Sequence, residues 1–249
     1  MSKLFATLGL LCLASGIAAA DEFIIRSGEE QVGLLELYTS EGCSSCPPAD
    51  RWLSRLTTDA KLWTEFVPVG LHVDYWDYIG WKDRFASPGF SRRQRDYARL
   101  KNVSTVYTPG FVYNGREWRN WLGRPSSNFP RGTKPGVLAL EISDRDVAVR
   151  FLPGESRQQQ LEASLAILGF GISTNVGAGE NAGRQLSHDF VVLGVERGRL
   201  KREGEKHTAM MTLPSTHFEA DRFAVAAWIS EVGRPAPLQA TGGWLPEGT

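Results

Sequence analysis

The apolar run Val32-Gly33-Leu34-Leu35-Glu36-Leu37-Tyr38 has the length and composition of a buried strand, and the turn-rich stretch Thr39 to Gly42 ends it. A helix follows. From Cys46 to Leu56 the residues Ala49, Trp52, Leu53 and Leu56 recur at helical spacing, while Pro47 and Pro48 suit a first turn that needs no amide donors. Phe66 to Val73 reads as a second strand, and Ser91 to Lys101 as a polar, arginine-rich helix. Val106 to Arg116 reads as a strand that begins after the Thr108-Pro109 step and turns at Asn114-Gly115. The predicted order is strand, helix, strand, helix, strand, hairpin.

Gly123 to Gly136 is crowded with Pro, Gly, Ser and Arg, and its weak apolar periodicity marks a domain boundary. Beyond it, Val137 to Ile142, Val147 to Phe151, Phe190 to Val195 and Phe223 to Ile229 read as short strands, with one short helix expected near Gln158 to Leu168. The division that follows is an α/β domain over 21–125 and a mainly antiparallel β domain over 135–249. Before both, Lys3, the apolar run Leu4 to Ile17 and Ala18-Ala19-Ala20 have the form of a signal peptide over 1–20 cleaved before Asp21. The expected location is periplasmic or secreted, where disulfides persist, with no membrane anchor after cleavage. The 28 basic and 28 acidic residues balance, which argues against nucleic acid as a partner.

Cys12 would leave with the signal, so Cys43 and Cys46, in Glu41-Gly42-Cys43-Ser44-Ser45-Cys46-Pro47-Pro48, would be the only cysteines of the mature chain. A CxxC pair at a helix start favours the thiolate of its first cysteine, which makes Cys43 the attacking sulfur and Cys46 the resolving one. A structural bridge and half of a zinc site are the alternatives. The first closes almost no loop, and the second needs further ligands at a spacing the chain does not clearly supply. His72 and Asp74, at the end of the second strand, are candidates for binding substrate or a metal, as against a hydrogen-bonded structural pair. The aromatic insertion Tyr75 to Phe90, with Trp76 and Trp81, is a candidate wall for a substrate groove. Arg184, His188 and Asp189 are candidate contacts across the domain junction. No Gly-x-Ser-x-Gly elbow occurs.

Five segments carry a resemblance: Glu36 to Asp50, His72-Val73-Asp74-Tyr75-Trp76-Asp77, Gly80-Trp81-Lys82-Asp83, Val106-Tyr107-Thr108-Pro109, and Gly179-Glu180-Asn181-Ala182-Gly183-Arg184. Together they resemble a secreted bacterial thioredoxin-like family that carries only a domain-of-unknown-function label. The resemblance implies an α/β fold class, with a thioredoxin-like N-terminal domain and a C-terminal mainly antiparallel β domain. It also implies a cis Pro109 facing Cys43, a substrate-binding Thr108 before it, and Glu36 as a buried acid that relays protons to the resolving cysteine. Gly42, Ser44-Ser45 and Pro47-Pro48 depart from ordinary thioredoxins around the pair.

The expected function is an exported thiol-disulfide oxidoreductase with catalytic Cys43, Cys46, Pro109 and Glu36, and with Thr108, His72, Asp74 and Trp76 at the substrate. It needs a protein or small-molecule thiol or disulfide substrate and a redox partner that resets the pair, but no organic cofactor or metal. One alternative is a copper- or zinc-binding protein or metallochaperone. The other is a non-catalytic binding module with a structural disulfide, for which a wholly buried Cys43 would be the sign.

Overall fold

The computed structural model describes residues 22–121, 128–130, 132–155 and 159–246. The expected signal peptide lies outside them, as do 122–127 and 131 of the expected boundary segment. In chain order the strands and helices begin β1 (Glu22–Arg26), β2 (Gly33–Thr39), α1 (Pro47–Ser54), β3 (Phe66–His72), α2 (Pro88–Arg99), β4 (Gly110–Tyr113) and β5 (Arg116–Glu117). They continue with β6 (Gly136–Ser143), β7 (Asp146–Pro153), β8 (Leu161–Phe170), β9 (Ile172–Asn175), β10 (Gln185–His188) and β11 (Val191–Arg199). The last are β12 (Lys201–Glu203), β13 (Lys206–Thr212), β14 (Arg222–Glu231) and β15 (Pro237–Trp244).

The expected fold class is corrected by the sheets. An eight-stranded sheet runs β15-β14-β8-β11-β3-β2-β4-β5, a five-stranded sheet runs β1-β6-β7-β13-β12, and β10 pairs with β9. Only β2 with β3 and β3 with β11 are parallel among the described pairs. The molecule is therefore a β-rich, multi-sheet fold with two short α-helices among the described residues, not an α/β thioredoxin-like domain followed by a β domain. The physical cause is the free edge of β3. Val191 pairs with Gly70 there, and Gly70 N donates to Phe190 O at 2.7 Å, which joins the first strands to the antiparallel run β11-β8-β14-β15.

Of the helix expected near Gln158 to Leu168, Gln158 lies outside the described residues and Leu161 onward is β8 instead. Its alternate residues enter different cores: Ala166, Leu168 and Phe170 join one, and Leu161, Ala163, Leu165 and Ile167 the other. β14 does the same, with Ala224, Ala226 and Trp228 on one face and Val225, Ala227 and Ile229 on the other. A strand buried on both faces carries no polar alternation to identify it.

α1 packs on one face of β2 and β4, where Trp52 meets Phe111 edge-on at 5.2 Å and Trp118 at the same distance. Leu37 pairs with Phe111 and so shares that face; Glu36 and Tyr38 lie on the opposite face, toward α2. α2 starts at Ser87, whose Oγ accepts from Gly89 N. The hairpin between β4 and β5 turns through Asn114 and Gly115, both at positive φ, as the Asn-Gly pair requires.

Candidate functional site

Cys43 and Cys46 form a disulfide, with Cα atoms 5.4 Å apart. Cys46 is the residue before α1, and its carbonyl takes the Ala49 and Asp50 amides at 2.8 and 3.1 Å. Pro47 and Pro48 have no amide, so what α1 offers the sulfurs is its dipole rather than a row of free donors. Ser44 and Ser45 are exposed, whereas Cys43 is 1% exposed and Cys46 not at all.

The loop containing Cys43 is held from the second half of the chain. Glu180 accepts from Ser44 N at 3.0 Å, and Asn181 Nδ2 donates to the carbonyls of Glu41 and Cys43 at 2.8 and 3.0 Å. The Ser44 hydroxyl and, after it, the Ser44 amide hold the exposed Glu180 carboxyl below the usual carboxylate range. From the other side comes the aromatic insertion. A Cβ at Gly42 would lie 3.2 Å from both Trp76 Cβ and Ile79 Cδ1, so a larger residue there would need these neighbours to give by a few tenths of an ångström. Trp76 Nε1 donates to Thr108 Oγ1 at 2.7 Å, and the following Thr108-Pro109 bond is cis. Ser45 and Pro109 line one open, mainly apolar groove of about 510 Å³ with Thr105, Tyr107, Arg119 and Trp121. A larger cleft of about 630 Å³, among Arg92, Arg99, Arg197 and Arg234, contains neither cysteine and none of these residues.

The remaining expected site residues separate. Glu36 is buried on the α2 side, gripped by Arg93 through both Nε and Nη2 and approached by Tyr38 Oη at 3.3 Å. Asp74 shares a hydrogen bond with Ser91 of α2. His72 turns to the α1 side, where its Nδ1 meets Asp83 Oδ2 at 2.7 Å. His72 and Asp74, candidates for one site at the end of this strand, are thus parted because β3 ends at His72 and a 3-10 turn, Asp74–Ile79, begins.

Beneath the cysteine loop lies a buried ionisable cluster. His72 and His188 rings are 5.1 Å apart. His188 Nε2 stands 3.4 Å from Glu41 Oε1, and its Nδ1 4.0 Å from Asp50 Oδ2. Neither Glu41 Oε1 nor His188 Nε2 has a hydrogen-bond partner, so that contact is an ion-pair approach without alignment. Trp81 Nε1 satisfies the other Glu41 oxygen at 2.8 Å. Burial alone would lower the His72 imidazole, but Asp83 outweighs it and pushes it up to about 9. Asp83 in turn is pushed up by burial and more than compensated by His72, ending below its ordinary value. Burial raises Asp50 in spite of His188 and His72.

Glu41, Asp50, Asp83, Glu180 and Asn181 did not stand out as site residues in the sequence. Asp50 carried one signal, its position four residues after Cys46 on the same helix face. His188, expected at a contact across the domain junction, is buried in this cluster against Glu41, Asp50 and His72, while Arg184 Nη1 braces Asn181 Oδ1 at 3.0 Å and Asp189 accepts from Gly171 N. Among the described residues no group of three or more His, Cys, Asp or Glu side chains is arranged to hold a metal ion.

The family model described as a protein of unknown function, DUF1223, matches residues 34–230, which include every element of this site. The chain belongs to the DUF1223 family. That label assigns no activity, and no curated protein matches the chain. Two solved structures share its fold. One is a protein of Agrobacterium tumefaciens, 23% identical with a TM-score of 0.61, covering 88% of this chain and 96% of its own. The other is HBP35 of Porphyromonas gingivalis, 15% identical with a TM-score of 0.58, covering 88% and 78%. At such identities the likeness extends to fold alone.

Proposed function

We propose that this DUF1223 protein is an exported thiol-disulfide oxidoreductase, periplasmic or secreted, that exchanges disulfides through Cys43 and Cys46. The observation that carries the reading is the placement of a bonded CxxC pair at the start of α1 directly beside an open apolar groove lined by Ser45, Tyr107, Pro109 and Trp121. A bridge between residues three apart closes too small a loop to stabilise the fold much, so its value lies in being made and broken. The dipole of α1 favours the thiolate of Cys43 as nucleophile, and Cys46 resolves the mixed disulfide. Thr108 and Trp76 shape the groove's approach to the pair, and the substrate is a protein or small-molecule disulfide or thiol. A separate redox partner resets the pair.

Burial of Cys43 favours a second reading, a binding module whose disulfide is structural. Trapping separates the two. A Cys46→Ser chain should accumulate mixed disulfides with thiol-bearing proteins, and a Cys43→Ser chain few. Equal trapping by both variants would remove the roles assigned to the two sulfurs, and no trapping by either would favour the structural bridge.

A further inference from the structure

Resolution of a mixed disulfide at Cys43 requires Cys46 to lose a proton, yet Cys46 has no exposed surface through which to release it. An internal acceptor is needed. Glu36, the acid on the neighbouring strand, is on the sheet face away from α1 and is held there by Arg93. Asp50 is on α1 itself, four residues after Cys46, and its amide donates to the Cys46 carbonyl at 3.1 Å. Side chains of a helix lean toward its N-terminus, so the Asp50 carboxylate lies over the turn that Cys46 begins.

We infer that Asp50, backed by His188, accepts the proton of Cys46 and passes it to solvent; this rests on the exchange reading above. The second observation is an outlet. A cavity of about 120 Å³, large enough for a few waters, is lined by Pro47, Asp50, Arg51, Gln185, Leu186, Ser187 and His188, so the two ionisable groups meet water there and Cys46 does not. The groups facing Asp50 are His188 from β10, His72 from β3 with its partner Asp83, and Thr39 from β2. Glu41 stands behind His188, and Arg51 sits at the cavity rim. His188 Nε2 is buried without a hydrogen-bond partner, 3.4 Å from Glu41 Oε1. Burial keeps Asp50 above the ordinary carboxylate range, which brings its proton affinity nearer that of a thiol.

The step balances. Cys43 has attacked a substrate disulfide and released its first thiol; Asp50 then takes the Cys46 proton, and the thiolate attacks Cys43 Sγ. The Cys43–Cys46 bond forms and the mixed disulfide breaks. The departing substrate sulfur keeps the electron pair and takes a proton from solvent. The substrate disulfide is reduced by two electrons, the protein pair is oxidised, and Asp50 releases its proton through the cavity.

The test is direct titration of Cys46 as the lone thiol, in a full chain carrying Cys12→Ser and Cys43→Ser, by thiolate ultraviolet absorbance. Asp50→Asn removes a neighbouring negative charge and should lower the Cys46 midpoint by about one pH unit or more, while Asp50→Glu should restore it. If Asp50→Asn does not fold, carboxyl-carbon NMR of Asp50 serves instead. It should show a second inflection at the pH where Cys46 ionises, absent in a Cys46→Ser chain. An unchanged midpoint, or no second inflection, in a protein that still exchanges disulfides overturns the role of Asp50 and leaves the exchange reading standing. A wild-type chain that never exchanges removes both.

Discussion

The buried pair His72 and Asp83 should make the protein's stability depend on pH in a window that ordinary surface histidines do not create. The ordinary imidazole value of 6.5 is raised to about 9 in the folded chain. A folded value above the unfolded one means that the charged imidazole stabilises the fold fully below pH 6.5, and that the contribution drains away as pH rises through about 9. The difference corresponds to on the order of 3 kcal/mol, a large share of a typical domain's stability. The perturbation is Asp83→Asn, which keeps a side-chain oxygen for the Phe85 amide, now 3.0 Å from Asp83 Oδ1, but removes the charge. Urea unfolding of the oxidised protein, followed at several pH values from 6 to 9, is the assay. The wild type should lose on the order of 3 kcal/mol across that range. The variant should start lower by a comparable amount and show a much flatter slope, with a residue left by Asp50 and Glu41, which also favour the charged ring. Parallel slopes in the two proteins would refute the reasoning, because they would mean that His72 is neutral in the fold or that Asp83 does not hold its proton.

Arg93→Met should leave Glu36 as a buried, uncompensated carboxylate and cost about 3–5 kcal/mol in chemical denaturation, most of it recovered by adding Glu36→Leu. Asn181→Ala, which deletes the bonds to the Glu41 and Cys43 carbonyls, should cost about 1–3 kcal/mol and speed reduction of the disulfide by a dithiol, read as free-thiol appearance against time. Glu180→Ala should also speed reduction by releasing Ser44, with the unfolding midpoint unchanged; equal reduction rates would mean that this loop does not restrict the pair.

Local chemistry was legible in the sequence wherever one segment determined it. The strand before the cysteines, the helix after them and the Asn114-Gly115 turn formed where their residues pointed, and the Thr108-Pro109 bond is cis as the family resemblance implied. What escaped was set by partners distant in the chain. No pattern in Phe66 to His72 tells that β3 will take β11 on its free edge, and that pairing is what turns an expected α/β domain into part of a β-rich sheet. Leu161 to Phe170 hid as a helix because both its faces are buried. Glu180 and Asn181 lie in a turn, but their side chains act on a loop 136 to 140 residues earlier, where they hold Ser44, Cys43 and Glu41. Glu36 was legible as a buried acid, yet alternation along β2 sends it to Arg93, and the acid that shares a helix with Cys46 is Asp50.

The most direct test of thiol-disulfide exchange is the equilibrium of the pair itself, measured by counting the thiols of Cys43 and Cys46 in buffers of graded redox potential. The exchange account expects full reversibility between zero and two thiols, with a midpoint between about −270 and about −120 mV. A pair that stays oxidised in buffers below about −300 mV would contradict it and mark the bridge as structural.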